Sequence, residues 1–268
     1  MPEKYVYLDD LPVLVRHTGP TTRPDRVPET RQGQALVLIH GSGGNRLIFE
    51  PLVERLAETQ SPLSFDLPGH GRSGGLDSLP TIEAMADLTH ELIQQLEISR
   101  PVLVGFDMGC AVALECALRR PDSASGLVLI APSAGTGVPA ALIDRYRRVC
   151  AGKEPRPFRA ELFAPGTSPE VMRGWFMGEL GTDPRATYGD LEALDAWRTN
   201  DRLGDLALPT CAISGSENPE DAEAADTLAG AIAGSQRISI EKAGHLIPVE
   251  QPDALAQQLG EFLAGLDR

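Results

Sequence analysis

The residue whose type and setting most constrain the chemistry is Asp107, in Gly105-Phe106-Asp107-Met108-Gly109. The segment stands where an apolar run, Val102–Phe106, turns directly into a helical pattern over 108–120. Gly-x-nucleophile-x-Gly at such a junction is a nucleophile elbow, a strained turn that lifts one side chain above a sheet. The flanking glycines leave room for the turn and for close approach of helix and strand. Backbone N–H groups and the dipole of the following helix favour negative charge there. A carboxylate attacking an acyl carbon would give an unstable mixed anhydride. Attack on an sp³ carbon carrying a leaving group gives an alkyl ester of the protein, which water can cleave. A nucleophilic Asp107 therefore points to opening of an epoxide C–O bond or displacement of a halide.

Four segments in order resemble the α/β-hydrolase superfamily: His40-Gly41-Ser42-Gly43-Gly44, Asp66-Leu67-Pro68-Gly69-His70-Gly71-Arg72-Ser73, the elbow at 105–109, and Gly244-His245. The elbow Asp is shared with epoxide hydrolases and with haloalkane and haloacetate dehalogenases. The resemblance implies that His245 is the general base for the water that hydrolyses the ester. His40 and His70 lie in Gly-rich turns and read as structural. Hydrolysis of the ester passes through an oxyanion, for which the expected donors are the N–H groups of Met108 and Ser42, with Gly43 as the fallback. A phosphate cradle in the same loop is disfavoured because no Lys-Ser/Thr follows the glycines. An acid should orient His245. The superfamily usually has Asp three residues after the Gly of Gly215-Ser216-Glu217-Asn218-Pro219, where this chain has Asn218. Glu217 is favoured slightly over Asn218, since Asn can hold an imidazole tautomer but cannot stabilise its charge.

Substrate class is read from the neighbours of these residues. Dehalogenases commonly place Trp or Arg after the elbow Asp, where this chain has Met108. Epoxide hydrolases use cap tyrosines to protonate the opening oxygen, and Tyr146 and Tyr188 are candidates. Trp175 and Trp197 are further candidate substrate contacts. The epoxide hydrolase-like reading is the expectation. The loop His-Gly-Ser-Gly, however, is closer to esterase, thioesterase and carbon–carbon-bond hydrolase branches than to the usual His-Gly-x-Pro. A cofactor-free lyase, cyclase or isomerase with Asp107 and His245 as an acid–base pair is therefore a second expectation. A non-catalytic binding relative is a third.

The elements that must hold these groups alternate strand and helix. Two short strands are expected within 5–17, then strands at Ala35–Ile39, 63–67, Val102–Phe106, 127–131, 210–214 and 237–240. Helices are expected at 47–60, 81–96, 108–120, 222–233 and 253–266. Residues 18–34 read as a surface connection. This pattern predicts an α/β fold, and the resemblance an α/β-hydrolase fold with a mostly parallel eight-stranded sheet flanked by helices. The core is expected over 1–134 and 206–268. Residues 135–205 hold 7 of the 13 aromatics, show no obvious strand, and read as a helical cap over the strand ends.

Composition narrows the partners. A formal net charge of −14 argues against nucleic acid or an anionic membrane. The four cysteines show no metal or disulfide spacing, and no His/Cys cluster or cofactor motif is present. No apolar run approaches the length of a spanning helix, and MPEKYVYLDD lacks a secretory pattern. The expectation is a cytoplasmic enzyme acting on a small, largely apolar molecule without metal or cofactor.

Overall fold

The computed structural model describes all residues except 21, 22, 24, 25, 31, 134, 267 and 268, and except the side chains of 200 and 201. The connection expected at 18–34 thus lies partly outside the described residues. The strands are β1 (Glu3–Leu8), β2 (Leu11–His17), β3 (Ala35–Ile39), β4 (Ser61–Phe65), β5 (Val102–Phe106), β6 (Gly126–Ile130), β7 (Thr210–Gly215) and β8 (Gln236–Ile240). They form one eight-stranded sheet in the order β1-β2-β4-β3-β5-β6-β7-β8. The pairs β1–β2 and β2–β4 are antiparallel, and every later pair is parallel. The helices are α1 (Glu50–Leu56), α2 (Ile82–Gln95), α3 (Met108–Arg119), α4 (Ala140–Cys150), α5 (Pro169–Glu179), α6 (Pro184–Ala196), α7 (Pro219–Ala231), α8 (Ile247–Glu250) and α9 (Pro252–Ala264).

The central strands are apolar at every position because both of their faces are covered. Successive side chains go to opposite faces. Val37 and Ile39 of β3 join the core that α2 and α3 cover, whereas Leu36 and Leu38 join the core on the other face. Leu103, Leu127 and Leu129 follow the first pair; Val104, Phe106, Val128 and Ile130 follow the second. Each fully buried Leu, Ile or Val contributes about 1.5–3 kcal/mol, which makes the sheet a rigid base for the loops at its carboxyl ends.

Two helix starts differ from the sequence pattern, and each has a local cause. The helix expected at 47 opens as a 3₁₀ turn over Arg46–Phe49, capped by the Asn45 side chain accepting the Leu47 N–H, and α1 proper begins at Glu50. The helix expected at 222 begins at Pro219. Asn218 caps it, accepting the N–H groups of Glu220 and Asp221, and proline suits the first helical position. The second shift changes which acid belongs to the site.

Between β6 and β7 the described residues contain α4, α5, α6 and short 3₁₀ turns, and no strand. Ser168 and Asp183 cap α5 and α6, each followed by Pro at the first helical position. The end of this insertion is fastened to the core. Trp197 is buried with Leu194, Leu203 and Leu206, and its Nε1–H donates to Glu115 of α3 at 3.1 Å. Arg202 pairs with the same buried carboxylate at 2.9 Å.

Candidate active site

Asp107 occupies the turn between β5 and α3 with φ 52° and ψ −120°. A non-glycine residue at positive φ stores backbone strain, which the packing around it must hold. That packing demands glycine on both sides. A Cβ on Gly105 would lie 2.3 Å from the Gly109 carbonyl oxygen, and one on Gly109 would lie 2.0 Å from that of Ile39. The turn is further tied by the Asp107 N–H, which donates to the Ile130 carbonyl at 3.0 Å.

The carboxylate divides its two oxygens between two partners. Oδ2 accepts the Ser42 N–H at 2.8 Å, and Oδ1 faces His245 Nε2 at 3.9 Å. Gly41 makes the first contact feasible, since a Cβ there would stand 2.6 Å from Oδ2. The Met108 N–H lies in the first turn of α3, whose N–H groups have no acceptor within the helix. The Met108 side chain is fully buried in the core beneath.

His245 sits in the loop after β8, with its own N–H donating to the Leu162 carbonyl of the insertion at 2.8 Å. Its ring packs against Phe106 at a centroid distance of 5.2 Å. Nδ1–H donates to Asp221, whose two carboxylate oxygens lie at 2.9 and 3.1 Å. Burial alone would pull the imidazole pKa down, but Asp221 beside it and Asp107 opposite hold it above the usual histidine value. Asp221 is in the first turn of α7, where the helix dipole favours a carboxylate.

The expected orienting acids are therefore corrected. Glu217 is exposed and accepts from the Ser216 hydroxyl, while Asn218 is occupied as the cap of α7. The fallback donor Gly43 is corrected as well: its N–H donates to Asp190 at 2.8 Å. Asp190, fully buried in α6, also accepts from the Ser78 hydroxyl and from His70 Nε2, the latter at 2.8 Å. Burial alone would lower the His70 pKa, but Asp190 holds it above the usual value. His40 is the opposite case. Burial, with His70 nearby, drops it to about 3, and as a neutral ring it donates to the Gly41 carbonyl and accepts the Leu67 N–H. Both histidines brace the loop rather than face the cavity.

A cavity of about 230 Å³ opens over Asp107 and His245. Core residues Gly41, Ser42, Phe106 and Asp221 line one side, and Tyr146, Arg159, Trp175 and Glu179 of the insertion line the other. Of the aromatic candidates, Tyr146 and Trp175 line this space. Tyr188 does not: it is half-exposed on α6, donating to Glu192 and accepting from Arg147. Trp197 does not either, being committed to Glu115 in the core. Glu179 and Asp221 are among the lining residues that the sequence pattern did not single out. For Asp221 a signal existed in Asn218-Pro219-Glu220-Asp221, which is a helix cap, a proline and an acidic first turn. Among the described residues no group of three or more His, Cys, Asp and Glu side chains could hold a metal ion, and no helix is long and apolar enough to cross a membrane.

Asp107, His245 and Asp221 meet at the carboxyl ends of a mostly parallel eight-stranded sheet. The chain belongs to the Alpha/beta hydrolase family, whose model matches residues 36–258. It is similar to (E)-2-((N-methylformamido)methylene)succinate hydrolase of Acinetobacter baylyi, 25% identical over 260 residues that cover 88% of this chain and 92% of the relative. Pimeloyl-[acyl-carrier protein] methyl ester esterase of Aliivibrio salmonicida is 25% identical, with 87% and 93% covered. Among solved structures, a thermophilic esterase from Thermogutta terrifontis superposes with a TM-score of 0.84 at 25% identity, covering 98% of each chain. The protein is thus a hydrolase of this fold.

Proposed function

We propose that the protein hydrolyses a small molecule at an sp³ carbon bearing an oxygen leaving group, of the epoxide type, through an ester of Asp107. The observation that carries this reading is the Ser42 N–H bond to Asp107 Oδ2. In acyl transfer that N–H would be needed by the carbonyl oxygen of the substrate. Here the attacking residue itself fills the position, which suits attack at a carbon that develops no oxyanion. Oδ1, which takes no backbone hydrogen bond among the described residues and faces His245, is the nucleophile. The N–H is then ready for the second half-reaction, in which the oxyanion forms on Asp107's own carboxyl group.

The sequence of events follows from these positions. Oδ1 forms a bond to carbon as the C–O bond of the substrate breaks. His245 Nε2 takes a proton from water, and the resulting hydroxide adds to Asp107 Cγ, placing negative charge on Oδ2 at the Ser42 N–H, with Met108 N–H as the second donor. Collapse of this intermediate expels the product oxygen, which takes the proton back from His245 to leave as the alcohol, with Asp107 as a carboxylic acid that then loses its proton to solvent. Asp221 stabilises the imidazolium in between. The insertion serves as the cap, and a cavity of about 230 Å³ sets a small substrate. The relatives' names, a succinate-derivative hydrolase and a methyl ester esterase, support hydrolysis as the outcome while leaving the electrophile to the residue at 107.

One observation favours a second reading. Carboxylate and imidazole face each other at 3.9 Å, a spacing at which they could also shuttle a proton on one bound molecule in a lyase or isomerase. Multiple turnovers of small terminal epoxides in ¹⁸O-water separate the two. The expected result is ¹⁸O in the peptide carrying Asp107 and, in a single turnover, an unlabelled product oxygen. Diol formation with no label on Asp107 would refute the covalent reading.

A further inference from the structure

We propose that Glu179 is the acid of the first half-reaction, giving its proton to the oxygen that leaves carbon as Asp107 attacks. The proposal rests on the nucleophile reading above. Glu179 is the last residue of α5, and only 7% of its surface is exposed. It lines the same cavity as Asp107 and His245. Its Oε2 is fully buried and has no hydrogen-bond partner. A buried carboxyl without a partner is costly when ionised, so it holds a proton or awaits a ligand.

The groups around Glu179 leave it in that condition. Arg156 packs nearby but donates to the backbone carbonyls of Glu179 and Thr182, not to the carboxyl group. Arg159 lines the cavity and is paired with Glu161. Tyr146 approaches from α4. Burial pushes the Glu179 carboxyl up to about 7 against the pull of Arg156 and Arg159. Tyr146 is pushed up to about 12 by burial, reinforced by Glu179. Between two donors in one cavity, the stronger acid near neutral pH is the carboxylic acid.

The proton count closes. Asp107 Oδ1 forms the bond to carbon, the electron pair of the broken C–O bond passes to oxygen, and the Glu179 carboxylic acid protonates that oxygen. Ester hydrolysis leaves Asp107 as a carboxylic acid, and the proton it loses restores Glu179 through solvent.

The test compares two electrophiles that alkylate the same atom. Styrene oxide needs a proton on its leaving oxygen, whereas phenethyl bromide releases bromide and needs none. Alkylation of the Asp107 peptide is followed by rapid quench and mass spectrometry in the wild type, Glu179→Gln and Glu179→Asp. The ratio of the bromide to the epoxide rate is expected to rise about 10²–10⁴-fold in Glu179→Gln. In Glu179→Asp most of that change should be reversed. Wild-type epoxide alkylation should fall with pH above about 7, a limb missing from the Gln variant. An equal loss with both electrophiles would reduce Glu179 to a structural part, and an unchanged ratio would overturn the proposal. Absence of any Asp107 adduct in the wild type would instead overturn the nucleophile reading, and this one with it.

Discussion

His245 Nδ1 is bonded to Asp221 at 2.9 Å, although Asp221 belongs to helix α7 and not to the loop leaving β7. The imidazole is thus oriented by a residue whose own N–H is held by the Asn218 cap, so the helix start fixes the position of the acid.

Asp221→Asn should slow hydrolysis of the Asp107 ester about 10²–10⁴-fold and make the alkylated protein accumulate. Asp221 raises the His245 pKa, and the imidazole must be neutral to take a proton from water. Hydrolysis in the wild type should therefore rise with pH through a value above the ordinary imidazole range, and in the variant that rise should move to lower pH. Quenched-flow mass spectrometry across pH reads both quantities. Breakdown of the adduct at the wild-type rate and pH would contradict this role for Asp221.

Asp107→Ser removes the carboxylate from the Ser42 N–H while leaving His245 and Asp221 in place. The vacated donor can then serve a substrate carbonyl. Hydrolysis of p-nitrophenyl acetate should exceed that of the wild type by about 10²-fold, the usual worth of one such donor. A folded variant with no gain would show that the N–H is not an oxyanion site.

Asp190→Ala strips partners from His70, Gly43 and Ser78 at once. Breaking a buried pair in this way costs about 3–5 kcal/mol, measurable by denaturant unfolding. The His70 pKa is raised in the folded state, so its contribution is complete below the ordinary imidazole value and fades as pH rises through the raised one. The margin between wild type and variant should be constant below about pH 6.5 and narrow above it. A margin that widens over that range would rule out the charged pair.

The strands and the tight turn after β5 were legible because their signals are local. A five-residue apolar run ending in Gly-x-Asp-x-Gly encodes both a strand buried on two faces and the turn beyond it. The acid was not, because the motif's spacing from Gly215 falls on Asn218, and only the cap and Pro219 reveal that the helix starts early enough to bring Asp221 forward. Tyr188 and Trp197 failed as substrate contacts for a related reason. Aromatic content does not say which way a helix faces, and in α6 and the residue after it these side chains found Glu192, Arg147 and Glu115 instead. Glu179 carried no signal at all, since its meaning lies in the absence of a partner in three dimensions.

Asp190 connects two parts of the chain that lie far apart in sequence. It travels with the insertion, yet it grips the glycine next to the Ser42 donor. A graft that replaces residues 135–205 with the equivalent stretch of another hydrolase would replace one wall of the cavity over Asp107 and, unless position 190 were retained, strip the Gly43 N–H and His70 of their buried acceptor in the same stroke.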